Sequence, residues 1–143
     1  MSRVDFYVLS EAEPDALLRC ACRLIEKAFD LDHRVYVHVC NESEAQRIDD
    51  LLWTFSDRTF IPHQVWLGTE PSHEVVKVLI GELPAPASHR EVLVNLSGEV
   101  PDDLESFARI VELVDADPER KRLSRERYKR YRERGCTLDT HNL

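Results

Sequence analysis

Apolar positions along the chain follow two periods. VDFYVL (residues 4–9) is a run of β-branched and aromatic residues and predicts a buried opening strand. After Ser10 and Glu11, which read as turn or cap, Pro14 suits a first helical turn. Leu17, Ala21, Leu24, Ile25 and Ala28 then recur at helical spacing and form one apolar face. RVYVHVC (residues 34–40) returns to strand composition. NESEAQRIDDLLWTF follows, with Asn41 or Ser43 as cap and Ala45, Ile48, Leu52 and Phe55 sharing a helix face. Strand, helix, strand, helix is the opening of an α/β fold, because parallel strands need helical crossovers.

Three more strands are predicted, QVWL (64–67), VVKVLI (75–80) and EVLVNL (91–96), separated by Gly- and Pro-bearing loops such as GELPAPASHR. The segment PDDLESFARIVELVDADPERK reads two ways: Pro101 and the acids after it start a helix, and RIVELV (109–114) is either its continuation or a further strand. Helix then strand is the favoured reading. Asp117 and Pro118 open a last helix that runs to Gly135 as its C-cap. The pattern predicts a single domain over residues 1–143. Its fold class is α/β: a Rossmann-like three-layer arrangement, with a mostly parallel sheet of five or more strands flanked by helices and a basic C-terminal helix. No repeat or low-complexity tract divides it.

At 43% hydrophobic and 32% charged residues, with no apolar run near the ~18 residues of a membrane span, the composition is that of a soluble protein. The start, MSRVDF, lacks the pattern of a secretory leader, so a cytoplasmic location is expected. Cys20, Cys22, Cys40 and Cys136 then read as buried free thiols. Charge changes the picture more. Residues 119–134 carry nine basic and three acidic side chains, a net +6, so the remainder of a chain of net charge -8 stands at -14. Such asymmetry points to a local anionic partner for the last helix, with a body that repels a long polyanion.

Sites of chemistry are mostly excluded. The four glycines, Gly68, Gly81, Gly98 and Gly135, form no phosphate cradle. The histidines and cysteines have no zinc-ligand spacing, His38 and Cys40 being the one conceivable pair, on one strand parity. Ser97 lacks a nucleophile elbow. No catalytic residue, cofactor or metal is therefore predicted.

On a helix, Lys121, Arg125, Tyr128, Lys129 and Arg132 form one stripe of four cations and an aromatic ring. Arginine offers a planar fork to a carboxylate, lysine a mobile charge and tyrosine an apolar surface, a set suited to a short acidic peptide ending in a hydrophobic residue. A solvated basic face, or a direct nucleic-acid contact, fits the same stripe. The -14 body weighs against extended DNA binding. A second candidate is LLWTFSDRTFIPH (51–63), where Trp53 lies off the Ile48-Leu52-Phe55 face and reads as an exposed anchor.

DFYVL, RVYVHV followed by AQRIDDLLWTF, FIPH, VLVNL and RERYKRYRERG occur in an order and spacing that resemble the chi subunit of the bacterial DNA polymerase III holoenzyme over nearly the whole chain. The resemblance implies a small non-enzymatic accessory protein that joins the clamp-loader assembly to single-stranded DNA-binding protein. It also implies that the acidic C-terminal tail of that protein docks on Lys121, Arg125, Tyr128, Lys129 and Arg132, with Val114 as an apolar wall and Arg125 as the leading carboxylate partner. DNA contact is then indirect. The family's psi-subunit surface maps onto Trp53 and Phe60. One departure is Cys136, where the family often has a larger apolar residue.

Overall fold

The computed structural model describes residues 2–54, 61–68 and 76–143, without the side chain of Pro14. Its described strands are β1 (Arg3–Val8), β2 (Val35–His38), β3 (His63–Val65), β4 (Val78–Gly81), β5 (Val92–Asn95), β6 (Arg109–Val114) and β7 (Thr137–Asn142). The helices are α1 (Pro14–Asp30), α2 (Glu42–Thr54) and α3 (Pro118–Glu133), with a 3-10 turn at Leu104–Ser106. The strands form one sheet in the order β3-β4-β2-β5-β6-β1-β7, and every pairing is parallel.

Alternation along the strands builds two cores. Val35, Val37, Val78, Ile80, Val92, Val94, Val111 and Leu113 face Leu18, Ala21 and Ile25 of α1 and Ala45, Ile48 and Leu52 of α2. Val4, Phe6, Tyr36, Leu79, Leu93, Ile110 and Val114 face the other way, toward Tyr131 of α3 and the 3-10 turn. A parallel sheet buried on both faces by helices is the three-layer arrangement that the periodicity implied. The α1 face forms as its spacing predicts, with Ala21, Ile25 and Ala28 buried and Leu17 and Leu24 partly so. Asn41 is the cap that opens α2, its Oδ1 accepting the Glu44 amide at 2.8 Å.

Four readings need correction. Residues 109–114 are strand, as the favoured reading has it, but the helix expected from Pro101 is only one 3-10 turn, because the chain must extend again by Arg109 to pair with both β1 and β5. The basic helix is the last helix but not the end of the fold: Gly135, at φ +83°, reverses the chain into β7. Of the cysteines, Cys20 and Cys22 are buried, whereas Cys40 is exposed and Cys136 half-buried, all four being free thiols. The predicted strands at 64–67 and 75–80 are shifted to His63–Val65 and Val78–Gly81, and Val75, like Phe55 and Phe60, lies outside the described residues.

β7 is the edge beside β1, paired with it in parallel along its whole length and joined to it by side-chain contacts at Asp5. Asp5, wholly buried, receives Arg109 Nε at 2.6 Å and His141 Nε2 at 3.1 Å, and the His141 ring stacks on Tyr7 at 4.7 Å between centroids. Burial pushes the Asp5 carboxyl up, but the hydrogen bonds from Arg109 and His141 outweigh it and hold the group below its ordinary value.

Candidate functional site

α3 is set by ordinary end signals. Asp117 caps it, accepting the Arg120 amide at 2.9 Å, and Pro118 opens the first turn. At the other end the Cys136 amide reaches the Tyr131 carbonyl and the Gly135 amide the Arg132 carbonyl, a Schellman closure that needs the positive φ of Gly135. Between these ends the helix is polar almost all round, with only Ser124 and Tyr131 buried.

Its cations divide between two flanks. Arg120, Arg127 and Arg134, seven residues apart, each take an acid from the body. Arg120 grips buried Asp115 with Nε and Nη2 at 2.6–3.0 Å. Arg127 Nε lies 3.2 Å from Glu112, and Arg134 Nη2 lies 2.5 Å from Glu105. Burial raises the Asp115 carboxyl, yet the Arg120 and Asp117 hydrogen bonds leave it lowered overall. Glu112 is buried more completely, and its carboxyl is raised by desolvation despite Arg127, Tyr131 and Asn95 around it.

The opposite flank is different. Lys121, Ser124, Arg125 and Tyr128 line a groove of about 300 Å³ whose other walls are Phe6 and Val8 of β1, Val114 of β6 and Thr140 of β7. Register explains the floor: Val8 pairs with Val114, and Phe6 with Thr140, all on the α3 side of the sheet. Tyr128 leans on Phe6 with ring centroids 5.3 Å apart. Lys129 and Arg132 lie further along the helix, exposed, and do not line the groove. Among the described residues, no ion pair or side-chain hydrogen bond engages the side chains of Lys121, Arg125, Lys129, Arg130 or Arg132.

The structure thus brings together Val114, Lys121, Arg125 and Tyr128 of the sequence-predicted set and leaves Lys129 and Arg132, also of that set, exposed on the same helix outside the groove. Sequence reasoning missed Phe6, Val8, Ser124 and Thr140. The parity of Phe6 and Val8 on the first strand was a usable signal; Thr140 was not, since β7 was not expected.

A wider cleft of about 460 Å³ opens at the carboxyl ends of β5 and β6, where open α/β sheets commonly hold ligands. Its guanidinium groups, Arg47, Arg120 and Arg127, are already neutralised by Asp15, Asp115 and Glu112. The smaller groove is the better anion site because its cations are uncommitted.

Trp53, the other candidate, projects from α2 half-exposed, its ring 4.3 Å from that of His63 on β3. His63 is buried, with Nδ1 2.7 Å from the Ile61 carbonyl and Nε2 3.1 Å from an Asp49 carboxylate oxygen. Its proposed companion Phe60 lies outside the described residues. His38 and Cys40 do not converge: His38 Nε2 meets the Glu82 carbonyl at 2.9 Å, while the Cys40 thiol donates to the Ser97 carbonyl at 3.2 Å.

Residues 1–139 match the family model described as DNA polymerase III chi subunit, HolC. The chain belongs to the DNA polymerase III chi subunit family. It is 40% identical over 143 residues to DNA polymerase III subunit chi of Pseudomonas aeruginosa, covering 100% of this chain and 98% of that one. To the chi subunits of Haemophilus influenzae and Escherichia coli it is 32% and 27% identical, again over nearly the whole of each chain. Family membership makes it an accessory subunit of the DNA replication machinery. In three dimensions it is similar to T4 UvsW, with a TM-score of 0.64 at 10% identity, covering 99% of this chain and 41% of that one, a likeness of fold alone. Among the described residues, no helix is long and apolar enough to cross a membrane.

Proposed function

We propose that this chain is a non-catalytic cytoplasmic adaptor that links the polymerase III clamp-loader assembly to single-stranded DNA-binding protein by clamping that protein's acidic C-terminal tail. The observation that carries the reading is the contrast between the two flanks of α3. One set of arginines is spent on the body's own acids and Arg122 on Glu119 and Glu126 of its own helix, whereas Lys121 and Arg125 stand unpaired beside an apolar groove. A chain-terminal carboxylate would meet Arg125 and Lys121, its last side chain would fill the space over Phe6, Val8, Val114 and Tyr128, and preceding acids would lie toward Lys129 and Arg132. Trp53, on the helix α2 that packs on the sheet face opposite α3, is with Phe60 the anchor for the psi subunit, and DNA contact is indirect.

The test is anisotropy titration of a labelled acidic peptide ending in Pro-Phe with a free carboxylate. Removing one charge-assisted hydrogen bond costs ~1.5–3 kcal/mol, so Arg125→Ala should bind roughly tenfold or more weakly. Wild-type affinity in that variant would overturn the clamp. Affinity should also drop with salt, since exposed charges are screened over ~8–10 Å at moderate ionic strength. Tight binding of a single-stranded oligonucleotide at physiological salt would instead favour direct nucleic-acid recognition by the same helix. Trp53→Ala should lose the psi partner and keep the peptide.

A further inference from the structure

A polar helix needs something other than an apolar stripe to fix its rotation about its own axis. At ~100° per residue, Arg120, Ser124, Arg127, Tyr131 and Arg134 all fall within about 60° of Tyr131, while Lys121, Tyr128, Arg125, Arg132 and Lys129 lie ~60–160° to one side. The first group is the seam against the sheet, and the second is the groove flank. At the centre of the seam stands Glu112, on the α3 face of β6, fully buried. It accepts the Tyr131 hydroxyl at 2.6 Å, Asn95 Nδ2 at 2.7 Å and Arg127 Nε at 3.2 Å. Arg120 and Arg134 repeat the pairing one heptad to either side, with Asp115 and Glu105.

We infer that Glu112 is a positioning residue for the groove: its three-way grip on Tyr131, Arg127 and Asn95 sets the roll of α3 and thereby aims Lys121, Arg125 and Tyr128 at the ligand. The functional consequence rests on the peptide-clamp reading. Directional bonds suit this role better than apolar contact does. A Leu in place of Glu112 would tolerate several rotations of α3, whereas three donors converging on one carboxylate accept a single one. A slip by one residue would swing Lys121 into the seam. Phe6 transmits the setting, lying beside Glu112 in the sheet register and touching the rings of both Tyr128 and Tyr131, at 5.3 and 6.1 Å.

The experiment compares wild type, Arg125→Ala and the triple variant Glu112→Leu/Arg127→Met/Tyr131→Phe, which removes the buried pair together with the hydroxyl that would otherwise lose its acceptor, while Asn95 keeps the Glu99 carbonyl. Each is measured by thermal melting, by peptide titration at a temperature where it is folded, and by the nuclear Overhauser contact between the Phe6 and Tyr128 rings. The triple variant should melt at or above the wild-type temperature, lose the Phe6–Tyr128 contact and bind the acidic peptide about tenfold more weakly. If it keeps both the contact and the affinity, the positioning role is wrong. A variant that melts early yet binds as wild type when folded equally overturns it, leaving Glu112 as a stability residue only. Should Arg125→Ala bind like wild type, the peptide reading fails, and the ring contact alone then decides the role of Glu112.

Discussion

Tyr131→Phe isolates one hydrogen bond in the seam. The ring is completely buried and packs edge-on to Phe6, so Phe fills the same volume and only the hydroxyl is lost. That hydroxyl donates to the Glu112 carboxylate at 2.6 Å, a short bond to a buried acidic acceptor. A bond to a charged group contributes ~1.5–3 kcal/mol. Glu112 Oε2 keeps Asn95 as a donor and Oε1 keeps Arg127, so the acceptor is not orphaned and the lower half of that range applies. The expected loss is therefore ~1.5–2 kcal/mol, which for a chain of this size lowers the melting temperature by roughly 4–8 °C. Urea unfolding should show the midpoint fall with an unchanged slope, since no extra surface is exposed. In a double-mutant cycle the loss should disappear or turn into a gain once Glu112 is already Leu, because the buried hydroxyl then has no acceptor. A loss under ~0.5 kcal/mol in an otherwise native background would refute the claim that this bond helps hold α3, because such a value is no more than an ordinary surface change produces.

Gly135→Ala should cost ~1–2 kcal/mol by urea unfolding, because an L side chain is strained at φ +83° in the Schellman turn; an unchanged midpoint would contradict that turn. Two carboxyls lowered by their partners, Asp5 and Asp115, give stability that is complete above the ordinary aspartate value of 3.8 and is lost as pH falls through their folded values. Asp5→Asn and Asp115→Asn should therefore each flatten the acid limb of a stability profile. Glu112, raised by burial, carries the opposite sign: its contribution is complete below the ordinary glutamate value of 4.5 and is lost as pH climbs through its folded value. Glu112→Gln should remove that decline, and a wild-type profile above pH 4.5 in this variant would show that the carboxyl does not titrate there.

The parts legible in the sequence are those whose period is decided by burial on both faces. β1, β2, β5, α1 and α2 carry dense apolar patterns, and their faces were readable at single-residue detail, as with Ile48 and Leu52 inward and Trp53 off to the side. β7 was not readable, since TLDTHN is an edge strand covered only in part, with Leu138 and His141 half-buried and the remainder exposed. Its placement depends on Asp5, which lies 136 residues from His141. Residues 101–108 misled for a related reason. Pro101 and the acids are honest helix starters, but local preference yielded to the pairing of Arg109 with strands on either side. In the candidate site, the cationic stripe was visible from spacing. Which cations remain available was not, because that depends on Glu105, Glu112 and Asp115 arriving from the 3-10 turn, from β6 and from the residue just after β6.

The parallel pairing of the first and last strands has a consequence for synthesis. Thr140, the outer wall of the groove, belongs to a strand that pairs, among the described strands, with β1 alone. A nascent chain that has emerged as far as Gly135 already displays every cation of α3, but with one bank of the channel still missing and the margin of β1 bare. On the peptide-clamp reading, an acidic tail meets a complete site only after β7 has zipped onto β1.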